Sequence, residues 1–328
     1  MTKHVSILIP EEDPNLSSIV GSYKIFTRAN QYLVAKGRKP AFNIQLVGNS
    51  KQVSVHDGLF SVHPNATLKQ VQKTDLILIP AIKPNFAASV KANKDLYPWI
   101  SAHYKNGAEV ASMCTGAFLL ASTGLLKGKI CSTHWIASEA FGKMFPDVNL
   151  VADKLITDEN GIYTNGGAFS FLHLLLYLVE KYCDRETAIY CAKVFEIDID
   201  RQTQSHFTIF SGLKTHHDEE IKKAQLFIEK HVSEKISIED LADKFSIGRR
   251  NFDRRFIKAT SNTPVEYMQK VKMEAAKRKL ETSRESVDEI MYSVSYSDNK
   301  AFRTVFKKIT GLSPLEYRNK YNREAAAL

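Results

Sequence analysis

Cysteine is scarce in this chain of 328 residues, and its four copies, Cys114, Cys131, Cys183 and Cys191, form neither a dense disulfide scaffold nor a CxxC metal pair. Reduced thiols are the expectation. Long apolar runs are missing too. The longest, from Phe169 to Val179, is interrupted by Ser170, His173 and Tyr177 and falls short of the ~20 residues a membrane span needs, so it reads as a buried helix. The opening MTKHVSILIP lacks the apolar core and small-residue cleavage site of a secretion signal, and a cytoplasmic protein away from the membrane is expected. Extremes of composition are absent as well: 44% apolar and 25% charged residues exclude wholesale disorder and fibrous classes.

The length exceeds what one core usually serves, which argues for two domains. From the start to about residue 195, short β-branched runs alternate with helical patterns. VSILIP (Val5 to Pro10), FNIQLV (Phe42 to Val47), DLILIP (Asp75 to Pro80) and EVASM (Glu109 to Met113) read as strands. Ser17 to Ala35, Asn85 to Lys105, Gly116 to Ser122, Gly167 to Tyr182 and Asp184 to Phe195 read as helices. That order predicts a doubly wound α/β domain over 1–195, a mostly parallel sheet with helices on both faces. Residues 196–217 lack either period and read as a linker. His216 and His217 within it have no third donor at metal spacing, so neither metal nor cofactor is implied.

Strand signals vanish from Asp218 onward, and 218–328 predicts an all-α domain. Ser237 with Asp240, and Ser286 with Glu289, have capping-box spacing. Pro264 and Pro314 follow at matching places, each three residues before a tyrosine, Tyr267 or Tyr317. The result is an internal repeat of about fifty residues: helix, turn, basic helix, proline turn. In the first basic helix Phe252, Phe256 and Ile257 fall inward and Arg249, Arg250, Asp253 and Arg254 outward. In the second, Phe302, Val305, Phe306 and Ile309 fall inward and Asn299, Lys300, Arg303, Lys307 and Lys308 outward.

Acidic residues are the telling absence here. The net charge of +9 is spread evenly between the two halves, yet residues 249–279 hold ten Lys/Arg against three Asp/Glu, and 300–308 hold four cations and no acid. A merely solvated face would interleave Glu at i,i+4, as AQLFIEKHVSEK does. Cations placed this way suit phosphate contact, and Arg, Asn or Lys early in a recognition helix can reach base edges in the major groove.

SIEDLADKFSIGRRNFDRRFIKAT, NTPVEYMQKVKMEAAKRKLE and SVDEIMYSVSYSDNKAFRTVFKKITGLSPLEYR together resemble the C-terminal domain of the AraC/XylS family. The resemblance implies two homeodomain-like helix-turn-helix motifs joined by one long helix, Pro264 to Leu280. It makes Arg250, Asp253 and Arg254 the base readers of the first recognition helix, and Asn299, Lys300, Arg303 and Thr304 those of the second, with Arg249 and Lys307 beside them. Gly248 stands where the family has a Ser or Thr cap, and Ser295 where a Gly precedes the aromatic Tyr296.

SMCTGAFLLASTGLLKGKICSTHW, extended by TNGGAFSFLHLLLYLVEKY, resembles the PfpI-type branch of the class I glutamine amidotransferase-like superfamily, whose fold is flavodoxin-like. The resemblance places Cys114 on a strand-to-helix turn, where a helix N-terminus would favour the thiolate, and pairs it with His134. The acidic position of that site falls on Ser18, while Glu11, Glu12 and Asp13 lie earlier. The combination of the two resembles the GlxA family of regulators across nearly the whole chain. That implies a transcription regulator and not an enzyme, with Cys114 and His134 in a sensing pocket. The expected partners are double-stranded DNA, a small-molecule effector and RNA polymerase, and the expected assembly is a homodimer. The alternatives are residual Cys-dependent hydrolase or amidase activity, and a packed cysteine in a vestigial site.

Overall fold

The computed structural model describes residues 2–199, 201, 203–214 and 216–322. It divides into two compact units, Met1–Gln204 and Ser205–Leu328.

The first unit runs β1 (Lys3–Leu8), α1 (Leu16–Ala35), β2 (Phe42–Gly48), β3 (Val53–Val55), β4 (Phe60–Val62), β5 (Ala66–Thr67) and β6 (Leu76–Ile79). It continues with α2 (Phe86–Ala92), α3 (Leu96–Lys105), β7 (Glu109–Met113), α4 (Ala117–Ser122), β8 (Ile130–Cys131), α5 (Ser138–Met144) and β9 (Asn149–Leu150). It closes with β10 (Ile156–Glu159), β11 (Ile162–Asn165), α6 (Phe171–Tyr182) and α7 (Arg185–Val194). Seven strands form one sheet in the order β10-β11-β7-β6-β1-β2-β5, all parallel but for β10.

The pleat explains why these strands are apolar throughout. In β6, Leu76 and Leu78 enter the core beneath α1, α6 and α7, whereas Ile77 and Ile79 enter the opposite core with α3, α4 and α5. The four anticipated strands therefore fall where the sequence put them, and the α/β class holds. The single helix anticipated over Asn85–Lys105 is two. Asn93, 1% exposed, donates from Nδ2 to Glu11 O and Ser89 O and accepts from Glu11 N, and these side-chain bonds replace helical continuation.

The second unit contains α8 (Glu219–Lys230), α9 (Ile238–Lys244), α10 (Arg249–Thr260), α11 (Pro264–Thr282), α12 (Val287–Ser293), α13 (Asn299–Thr310) and α14 (Pro314–Tyr321). Among the described residues it has no strand of two or more residues. Both anticipated capping boxes form, and Thr263/Glu266 and Ser313/Glu316 add a second matched pair at the proline turns. Each repeat closes its own core, one around Phe252, Phe256 and Tyr267, the other around Phe302, Phe306 and Tyr317. Ile257, anticipated inward, is instead 45% exposed, because it stands about 140° around the helix from Phe252.

The division between units lies inside the stretch 196–217, and both halves of that stretch are packed. Ile197 and Ile199 lean on the first unit's core, and Gln204 Nε2 donates to Thr133 O and Ala152 O. In the second unit, Phe210 N donates to Glu274 Oε2 (3.1 Å) and Lys277 Nζ to Thr208 O (2.5 Å).

Candidate nucleic-acid interface and ligand cavity

Each recognition helix is held by two phenylalanines one turn apart, all four fully buried: Phe252 and Phe256 in α10, Phe302 and Phe306 in α13. That leaves the opposite face to solvent. Arg249, Arg250 and Arg254 are exposed on α10 with Asp253 half-buried; Lys300, Arg303, Thr304 and Lys307 are exposed on α13 with Asn299 half-buried. The side chains of Arg250, Lys300 and Arg303 form no hydrogen bond or ion pair among the described residues, so their charge is available to an outside anion. Arg254 donates to Asn251 Oδ1 (3.0 Å), and Thr304 bonds back to Lys300 O (2.7 Å).

The first residue of each recognition helix has a different job, which the sequence pattern did not reveal. Arg249 Nε donates to Glu239 Oε1 (3.2 Å) and its guanidinium also bonds Asp253; Asn299 Nδ2 donates to Asp288 Oδ1 (2.5 Å). Glu239 and Asp288 are each the second residue of the preceding helix. Matching clips thus tie α10 to α9 and α13 to α12. The sequence does carry a signal for the first clip, an Arg–Asp pair at i,i+4, whereas the resemblance makes Asp253 a base reader. The turns also match: Ser246 (φ 53°) and Ser295 (φ 64°) both take the left-handed conformation. At Gly248 no side chain caps α10, whereas Asp298 caps α13 by accepting from Ala301 N (2.7 Å).

In the first unit, Cys114 follows β7 on a tight turn at φ 55°, a strained value for a residue bearing a Cβ. The turn fits only because residue 116 is glycine: a Cβ there would lie 2.5 Å from Pro80 O and 2.7 Å from Ile79 O. Thr133 Oγ1 donates to Cys114 O (3.0 Å), and Thr115 Oγ1 donates to Ile82 O (2.7 Å). Cys114 and His134 both line a cavity of about 450 Å³ with Ser18, Phe86, Ile136 and Phe171 among its walls. The anticipated pair is therefore brought to one place, and Ser18 stands in it.

The electrostatics differ from expectation. Burial pushes the Cys114 thiol up to about 11, overriding any pull from the short helix behind it, so the anticipated thiolate is corrected to a thiol. Burial also lowers the His134 imidazole, which is neutral at pH 7. Among the described residues no carboxylate lines the cavity. Asp13 is paired with Lys83, and Glu11 Oε1 accepts from Ser50 Oγ (2.6 Å). Among the described residues, no group of three or more His, Cys, Asp or Glu could hold a metal, and no helix is long and apolar enough to cross a membrane.

Residues 22–181 match the DJ-1/PfpI family, and residues 241–320 match a helix-turn-helix domain. The HTH-type transcriptional regulator GbdR of Pseudomonas aeruginosa is 22% identical over 271 residues, covering 82% of this chain and 72% of its own. A protein of Vibrio parahaemolyticus, solved as a candidate transcriptional regulator, superposes with a TM-score of 0.53 at 23% identity over 59% of this chain and 99% of that one. DJ-1beta of Drosophila melanogaster gives 0.50 at 16% identity over 60% and 100%. The two structures speak to fold alone. The first unit thus carries a region similar to the DJ-1/PfpI family, and the second a region similar to a helix-turn-helix domain.

Proposed function

We propose that this protein is a sequence-specific DNA-binding transcription regulator whose DJ-1/PfpI-type domain senses a small molecule without catalysing its conversion. The observation that carries the reading is the paired recognition face: two helices in matched frames, each presenting cations that the fold itself leaves uncompensated. Arg250, Arg254, Lys300 and Arg303 are the proposed base readers, joined by Thr304, and Lys307 a phosphate contact. Asp253 stays with Arg249, and with Asn299 these three set the helices in place. A homodimer acting with RNA polymerase in the cytoplasm completes the proposal.

The non-catalytic reading is supported by the cavity's chemistry. Nucleophilic catalysis needs an activated nucleophile, a base and a group that orients the base. Here the cysteine is a thiol, and His134 Nδ1 accepts from Ile136 N (3.1 Å), a bond no carboxylate shares.

The test is selection of binding sites from random duplexes with the full chain, followed by fluorescence anisotropy across a salt series. Sequence-selective binding is expected. Arg254→Ala should cost ~1–3 kcal/mol at the selected site and relax one base position. Lys307→Ala should weaken binding to all duplexes alike and lower the salt slope by about one. Equal affinity for selected and scrambled duplexes would reject the regulator reading. Sedimentation of the full chain at micromolar concentration decides the dimer.

A further inference from the structure

We infer that the cavity beside Cys114 takes an uncharged, largely apolar small molecule bearing a hydrogen-bond acceptor, and that His134 Nε2 donates to that acceptor. The inference rests on the sensing role proposed above and names the chemistry of what is sensed.

Charge decides the class first. Among the described residues no Asp, Glu, Lys or Arg side chain lines the cavity, whose walls include Ile82, Phe86, Ile136, Phe169 and Phe171. An ion moved from water into such walls gives up hydration that no counter-charge restores, which lowers its affinity by orders of magnitude against an uncharged isostere. The charged groups next to the lining residues along the chain offer no help, because Asp13 and Lys83 hold each other, Asp13 also accepts from His56 N (3.0 Å), and Glu139 is paired with Lys143 (2.6 Å).

The polar atoms decide the rest, since most of them already have partners within the fold. Ser18 Oγ donates to Asn15 O (2.8 Å) and accepts from Ala81 N (3.3 Å). Thr115 Oγ1 donates to Ile82 O and accepts from Ile82 N (2.9 Å). Asn15 Oδ1 accepts from Ser18 N (2.9 Å). His134 differs. Its Nδ1 accepts from Ile136 N, which fixes the proton of the neutral ring on Nε2, and Nε2 has no partner among the described residues. A donor of this kind calls for an acceptor on the ligand. At the rim, exposed Ser17 and the Asn15 amide can meet a further neutral polar group. Ile136 and Phe169, 70% and 67% exposed, stand at the same cavity and would be covered by an apolar ligand. Cys114 contributes a polarisable apolar contact in this arrangement.

The experiment uses the full chain and matched triplets of probes: benzamide, benzoate and benzamidinium, and the same three head groups on a short alkyl chain. Binding is read by calorimetric titration and by thermal shift, in wild type, His134→Phe and Ala168→Trp. The expected result is that the amides bind at least tenfold tighter than either ion. His134→Phe should weaken them about three- to tenfold, the range of one hydrogen bond, and Ala168→Trp, on the exposed loop at the cavity, should abolish binding. Tighter binding of a carboxylate, or of a cation held on the phenylalanine faces, overturns the inference, and so does the absence of amide binding. Failure of the sensing role looks different: amides would bind as expected while the affinity of the chain for its selected duplex stays unchanged.

Discussion

The buried ion pair on α11 offers a demanding test of how the second unit is held together. Glu274 and Lys277 have side chains 11% and 4% exposed and meet at 2.8 Å. The carboxylate also accepts from Phe210 N, and the ammonium also donates to Thr208 O, so the pair fastens the segment entering the unit to the helix shared by both repeats. Lys277→Met keeps the aliphatic stem but strands a buried carboxylate and removes a donor from a backbone carbonyl. Breaking a buried pair from one side costs about 3–5 kcal/mol. For a unit of this size that corresponds to a Tm loss of roughly 10–20 °C. Both tryptophans, Trp99 and Trp135, lie in the first unit, so their fluorescence melt should hold still while the far-UV circular dichroism melt gains an early phase. Glu274→Gln placed on top of Lys277→Met removes the stranded charge, keeps an acceptor for Phe210 N, and should recover more than half of the loss. A single-variant cost below about 1 kcal/mol, or a double variant no better than the single, would refute the reasoning.

Three further expectations follow from the geometry. Gly116→Ala forces a Cβ against two backbone carbonyls and should cost the first unit about 1–3 kcal/mol, read in the tryptophan melt; an unchanged Tm would contradict the close packing of the cysteine turn. Burial lowers the imidazoles of His103, His134 and His173, so the unfolded chain binds more protons than the folded one below their ordinary value of about 6.5. The first unit's stability should therefore fall as pH drops from 7 through 6 toward 5, and a rise over that window would contradict the assignment. Arg249→Ala should loosen the start of α10 without altering which base is preferred, whereas a changed base preference in site selection would make Arg249 a reader after all.

Much of this was legible in the sequence because periodicity and capping are local. Val5, Leu76 and their neighbours announced buried parallel strands, and Ser237 with Asp240 announced a helix start in register with its repeat. Short elements were not legible: β3 and β4 hold three residues each and β8 and β9 two, too few for a period to show. The α2–α3 break was hidden because it depends on Asn93 meeting Glu11, some eighty residues away. At the cavity, residue identity and place were readable, but the protonation of Cys114 was not, since burial is a property of the assembled fold. Likewise Arg249 could be placed on the outward face from spacing alone, while its bond to Glu239 comes from a different helix.

The helix shared by both repeats has a consequence for the DNA. With 19 residues at 1.5 Å each, α11 is about 28 Å long and carries no glycine or internal proline at which to bend. It behaves as a rigid gauge. One residue inserted in it would swing the second motif by about 100° relative to the first, whereas one base pair inserted between the two contacted sequences rotates the duplex by only roughly 35°. The protein has no way to split that difference by stretching. An operator with altered spacing must be met by twisting or bending the duplex itself, so its stiffness becomes part of what is recognised.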